Sequence, residues 1–187
     1  MGNLDIETAF VNGKLNIKEA IETEPPELDF VLPGLLKGTV GGLVATGSTG
    51  KSFLALQLCV QLATLNKIDF FKIPFPNSPT HNKHYIYTTY ITAEDPITIL
   101  QHRIHNIGRL LKPEYRQSVY ESCDIQSWFG LSPYLLDKDL KRNNEWIDAI
   151  KRGLAFTDLC FFDTLSLFHS AIENDNDSMK FVIDVFK

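Results

Sequence analysis

Short runs of β-branched and aromatic residues alternate along this chain with longer stretches in which apolar residues recur every three or four positions. The first pattern is that of strands and the second that of amphipathic helices. GTVGGLVATG at 38–47 predicts a strand running straight into a glycine-rich stretch. KSFLALQLCVQLAT follows, with Leu54, Leu58 and Leu62 four apart, and predicts a helix laid against a sheet by that stripe. YIYTTYIT at 85–92 predicts a second strand, aromatic and β-branched throughout. Beyond it, Asp95 offers an N-cap and Pro96 a first helical residue. Ile97, Leu100, Ile104, Ile107 and Leu111 then form the apolar stripe of the helix so opened.

KPEYRQSVYES predicts a short helix and CDIQSW a short strand. NEWIDAIKRGLAF predicts a helix with Trp146, Ile147, Ile150 and Leu154 inward, and LCFFD at 159–163 a buried strand ending in an acid. A last helix begins at Ser178. FFKIPFPNSPTHNKH, rich in Pro, Asn and Ser, reads as a loop. Residues 1–27 hold a polar helical segment and a linker broken by Pro25 and Pro26, which leaves 28–187 as the folded core. Strands alternating with helices, without any internal repeat, predict an α/β domain with a mostly parallel sheet.

Composition changes this picture little. At 187 residues with 44% apolar content, the chain suffices for one sizeable core. A net charge of −5 argues against a general nucleic-acid coat, so a DNA contact would need a local basic patch. Cys59, Cys123 and Cys160 are scattered and odd in number, which suits neither a disulfide framework nor a zinc spacing and points to a reducing compartment. No signal-peptide pattern opens the chain, and Ile6 stands where N-myristoylation needs Ser or Thr. No apolar run approaches the ~18 residues of a membrane span. The expectation is a soluble cytoplasmic protein with no membrane partner.

The strongest chemical signal is ATGSTGKS, Ala45 to Ser52. A phosphate-cradling loop needs backbone N–H groups turned inward, which small residues permit, and a helix N-terminus behind them. Gly47 and Gly50 are read as the turn, Lys51 as the cation for the β- and γ-phosphates, and Ser52 as the hydroxyl that holds Mg²⁺. Ala45 stands where glycine is usual, at the strand exit, where a methyl group costs least. Asp163 ends a strand about a hundred residues downstream, a natural place for an acid that holds Mg²⁺ through water. Glu94 ends another strand, and ligands of open α/β sheets gather at such carboxyl ends. A carboxylate there can polarise the water that attacks a γ-phosphate. Arg103 could reach a phosphate or a neighbouring subunit, or be a solvated helix-face arginine. His102 and His105, without a third ligand, read as polar surface.

The strings LDFVLPGLLKGTVGGLVATGSTGKSFLALQLC, YITAEDPITILQHRIHNIGRLL and LCFFDTLSLFH…ENDNDSM, in this order, resemble the plasmid RepA-type replicative helicases from about Leu28 onward. The resemblance implies a RecA-like P-loop NTPase fold and a hexameric, ATP-driven DNA helicase. It implies ATP contacts along Thr46, Gly47, Ser48, Thr49, Gly50, Lys51, Ser52 and Phe53, with Arg103 sensing phosphate. It makes Glu94 and Lys51 catalytic and Ser52 and Asp163 the Mg²⁺ residues. Its partners would be further copies of the chain in a ring and single-stranded DNA.

His169 matches a histidine of the family string without a physical role of its own. Ser166 and Leu167 stand where basic residues are expected, and Ala45 replaces a glycine. The resemblance also places a strand between the P-loop strand and the Asp163 strand, and puts it, with the DNA-pore loops and the arginine finger, after residue 187. The corresponding expectation is an incomplete sheet that binds ATP weakly, hardly turns it over and has lost its coupling to DNA. A recombination or repair ATPase of RecA-like type, or an ATP-binding oligomerising module without motor activity, are the other readings.

Overall fold

The computed structural model describes residues 13–72, 80, 83–170 and 176–186. Among these, a short helix α1 (Ile17–Glu22) precedes a small antiparallel ribbon of β1 (Phe30–Leu32) and β2 (Leu35–Leu36). Helix α2 (Lys51–Ala63) follows the glycine-rich stretch, and β3 (Thr88–Thr92) leads into α3 (Ile97–Gly108) and α4 (Pro113–Ser122). The chain continues through β4 (Cys123–Ser127), α5 (Asn144–Gly153), β5 (Leu159–Asp163) and α6 (Asn176–Val185).

The main sheet is parallel, in the order β4-β3-β5. The connection from β4 to β5 therefore crosses over β3, which becomes the central strand and is buried along its whole length. The ladders are level: Thr92 pairs with Ser127 on one side and Asp163 on the other. The three strands thus finish in one row.

Because strand side chains alternate between faces, β3 builds two cores at once. Tyr90 packs with Ala55, Leu56, Cys59 and Val60 of α2 and with Leu100 and Ile107 of α3. Its neighbour Ile91 packs on the opposite face with Ile147 of α5, Leu135 and Phe168. There Trp128, Trp146, Phe162 and Phe168 form a chain of ring contacts. This is the expected α/β architecture, a parallel sheet with helices on both faces. Burial pushes the thiols of Cys59 and Cys160 well up, and that of Cys123 up to about 11, so all three stay protonated at neutral pH.

Several local expectations are corrected. Residues 39–46 form no strand and are exposed, including Val40, Leu43 and Val44. A strand exists only through a ladder, and among the described residues no neighbour pairs with this segment. The stripe of α2 is rotated: Leu56, Cys59, Val60, Leu62 and Ala63 are buried, while Leu54 and Leu58 are half-buried. This helix is apolar on most of its circumference, so a four-residue spacing does not single out one face. On α3 only Leu100 and Ile107 are buried, whereas Ile97 is exposed. Asp95 does not cap α3: Pro96 takes that position without a side-chain bond, and the Asp95 carboxylate binds Arg103 instead. The predicted strand at 85–92 is shorter, beginning at Thr88, and the loop residues 73–79 and 81–82 lie outside the described residues.

Leu56 is fully buried where α2 meets the sheet. Leu56→Ala should cost about 2–5 kcal/mol. Urea unfolding should show this as a lower midpoint at unchanged slope.

Candidate nucleotide site

The level strand ends define a shelf, and the connections leaving it carry the chemistry. At the end of β3, the buried Thr92 hydroxyl accepts from the backbone N–H of Glu94 at 3.1 Å and of Asp95 at 3.3 Å. This turn throws the chain off the sheet and leaves the Glu94 side chain exposed. The backbone N–H of Ala93 donates to Asp163 O at 3.1 Å, and the Thr164 hydroxyl donates to Glu94 Oε2 at 3.3 Å. The exits of β3 and β5 are therefore stitched together, and Glu94 and Asp163 share one end of the sheet.

Asp163 has a further partner. Tyr90 Oη donates to Asp163 Oδ2 at 2.5 Å. Tyr90 faces α2, and in parallel register its pair on β5 is Phe161, two residues before Asp163. Two residues of strand rise roughly 6.6 Å, a span that a tyrosine ring with its hydroxyl can bridge. The same phenol interacts with the Ser52 hydroxyl in the first turn of α2. Burial first, and then the bond and charge of Asp163, push the Tyr90 phenol far above its ordinary range, so it remains a donor at any working pH.

The loop ahead of α2 is compact. Gly50 caps the helix with φ of 90° and Ser48 has φ of 60°, so these two residues make the left-handed turns. Gly47, read from the sequence as half of the turn, is not among the residues with positive φ. Thr49 Oγ1 donates to Thr46 O at 2.8 Å. Lys51 Nζ donates to Ala45 O at 2.7 Å and Thr46 O at 2.8 Å, so the ammonium is folded back over its own loop.

This glycine-rich turn at a helix N-terminus, with its lysine, hydroxyl and facing acid, has a counterpart among known sequence families. Residues 13–187 match the family described as AAA domain. The chain belongs to that AAA-domain family. It is therefore a P-loop ATPase by kind, and its three-strand parallel sheet flanked by helices agrees with that fold.

Within the AAA domain the sequence-derived residues fall into two groups. Asp163 is held by Tyr90, whose phenol also senses Ser52, and Glu94 joins Asp163 through Thr164. Phe53 packs at the margin of the α2 core. Arg103 stands apart, its guanidinium bound in parallel to both oxygens of Asp95 at 2.5 and 3.1 Å. His102 and His105 are exposed, and no cluster of three potential metal ligands occurs among the described residues. Magnesium does not need one, since it keeps several waters and takes one or two protein oxygens plus phosphates. A serine hydroxyl and a carboxylate held by a phenol that both influence fit that demand.

Tyr90 is the residue that the sequence pattern presents only as strand filler. A signal was present. Tyr90 shares the alternating face of Thr88 and Thr92, and a buried tyrosine hydroxyl requires a partner. His169 is buried and forms an isolated bridge with Leu136. No helix among the described residues is long and apolar enough to cross a membrane.

Proposed function

We propose that this chain is the ATP-binding and hydrolysing motor domain of a RepA-type replicative DNA helicase. The observation that supports the ATPase chemistry best is the Tyr90–Asp163 hydrogen bond beside Glu94 at one end of the sheet, with Ser52 in the first turn of α2 close enough to influence the same phenol. The helicase assignment rests on the AEDP…HR and FDT…FH…EN strings that surround these residues.

In this reading the loop N–H groups and the N-terminus of α2 receive the phosphates. Lys51 leaves the Ala45 and Thr46 carbonyls to neutralise the β- and γ-phosphates. Ser52 and, through water, Asp163 would hold magnesium, which when bound would offset negative charge on the phosphates. Glu94 orients a water and accepts its proton as the water oxygen bonds to the γ-phosphorus. The bond to the β–γ bridging oxygen breaks, and ADP and phosphate leave. Arg103 reaches a phosphate only by giving up Asp95. The working form would be a ring of copies acting on single-stranded DNA.

Single-turnover hydrolysis of radiolabelled ATP, with magnesium and with or without single-stranded DNA, tests this. Hydrolysis of the bound ATP is the expected result, and hydrolysis faster with DNA would show coupling to DNA in this chain. Stoichiometric binding without hydrolysis would make it an ATP-binding module, and no binding at all would end the proposal.

A further inference from the structure

Tyr90 is fully buried, yet its hydroxyl binds Asp163 at the end of β5 and feels Ser52 in the first turn of α2. The rest of the ring belongs to the core formed with Leu56, Cys59 and Leu100, so the position of the hydroxyl is set by packing rather than by a flexible side chain. A carboxylate at a strand end can rotate about its last bond, and its usefulness to a hydrated cation depends on that rotation. A phenol that donates to Oδ2 fixes the rotation and leaves Oδ1 to accept from water. It does so without adding charge, whereas a lysine in its place would neutralise the carboxylate and repel a cation.

We propose that Tyr90 is a positioning residue for magnesium-dependent nucleotide binding, acting through its hydrogen bond to Asp163. The inference rests on the ATPase reading above. Its effect travels through the carboxylate that it holds.

Binding of a fluorescent ATP analogue to the full chain, measured in magnesium and again in EDTA, provides the test. Tyr90→Phe keeps the ring and removes the hydroxyl. It should raise the Kd in magnesium about tenfold, as loss of one hydrogen bond to a charged group implies, and leave the Kd in EDTA unchanged. Manganese binding to the nucleotide complex, followed by electron paramagnetic resonance, should weaken in parallel. In an Asp163→Asn background the same substitution should add no more than about twofold, because the group it acts through is already altered.

A merely structural role predicts equal losses with and without magnesium, or an undiminished loss in the Asp163→Asn background, and either would overturn the proposal. Should Tyr90→Phe fold poorly, both chains are compared at a lower temperature where circular dichroism shows the variant folded, and the same pattern is required. If the wild-type chain itself shows no magnesium-dependent binding, the ATPase reading falls and takes this inference with it. If the wild type shows it and Tyr90→Phe matches the wild type, the inference alone falls.

Discussion

Lys51→Ala should weaken magnesium–ATP binding roughly 10–100-fold, the loss expected when a charge-assisted contact to phosphate is removed. In the structure the ammonium is held by the carbonyls of Ala45 and Thr46. Both carbonyls lie in an exposed loop, so water replaces the lysine there and the fold should melt close to the wild-type temperature. Equilibrium titration alongside a thermal melt separates the two effects. Lys51→Arg should not rescue: a planar guanidinium cannot replace a compact ammonium that must move from two backbone carbonyls onto two phosphates in a tight loop. A variant that binds ATP as tightly as wild type would place the phosphates elsewhere.

Glu94→Gln should act on the other half of the reaction. A general base typically contributes about 10²–10⁴-fold, so hydrolysis of bound ATP should fall by that order while the Kd for ATP stays within about twofold. The glutamine preserves shape and can still accept from Thr164 through its amide oxygen, the contact that Glu94 makes at 3.3 Å. Rapid-quench hydrolysis together with binding measures both quantities on one sample. A chain that only binds ATP would show no difference between wild type and Glu94→Gln in either measurement.

These residues were legible in the sequence because each sits at a transition between two periodicities. Ser52 opens a helical period just after a glycine-rich turn, while Glu94 and Asp163 close strand-like runs. The parallel sheet followed from the alternation of such runs, and the strand ends then had to converge. What the sequence concealed depended on partners rather than on local pattern. Residues 39–46 carry good strand composition, but strand formation requires a neighbouring backbone, and none of the described residues supplies one.

The inward face of α2 was ambiguous because apolar residues cover most of its surface, and packing against Tyr90 and Leu100 chose Leu56 and Cys59 over Leu54 and Leu58. Asp95 had the right residue type and place for a helix cap, yet a bidentate arginine two turns along α3 outcompeted the backbone for its carboxylate. Ser48 rather than Gly47 adopted the left-handed turn, a choice that composition does not reveal. Tyr90 was hidden for the opposite reason: its aromatic ring fits a central strand so well that only the need of a buried hydroxyl for a partner marks it.

The level finish of β3, β4 and β5 means that main-chain pairing, more than any side chain, measures out the site. Slipping β5 by one position against β3 would move its last residue by about 3.3 Å and turn it to the other side of the sheet. Asp163 would then face Ile91 and the aromatic layer instead of Tyr90 and α2. The spacing of residues from Leu159 to Asp163 is thus a ruler for the candidate site at this end of the sheet. Along that ruler, many exchanges of one apolar residue for another can be absorbed, whereas a single insertion or deletion cannot.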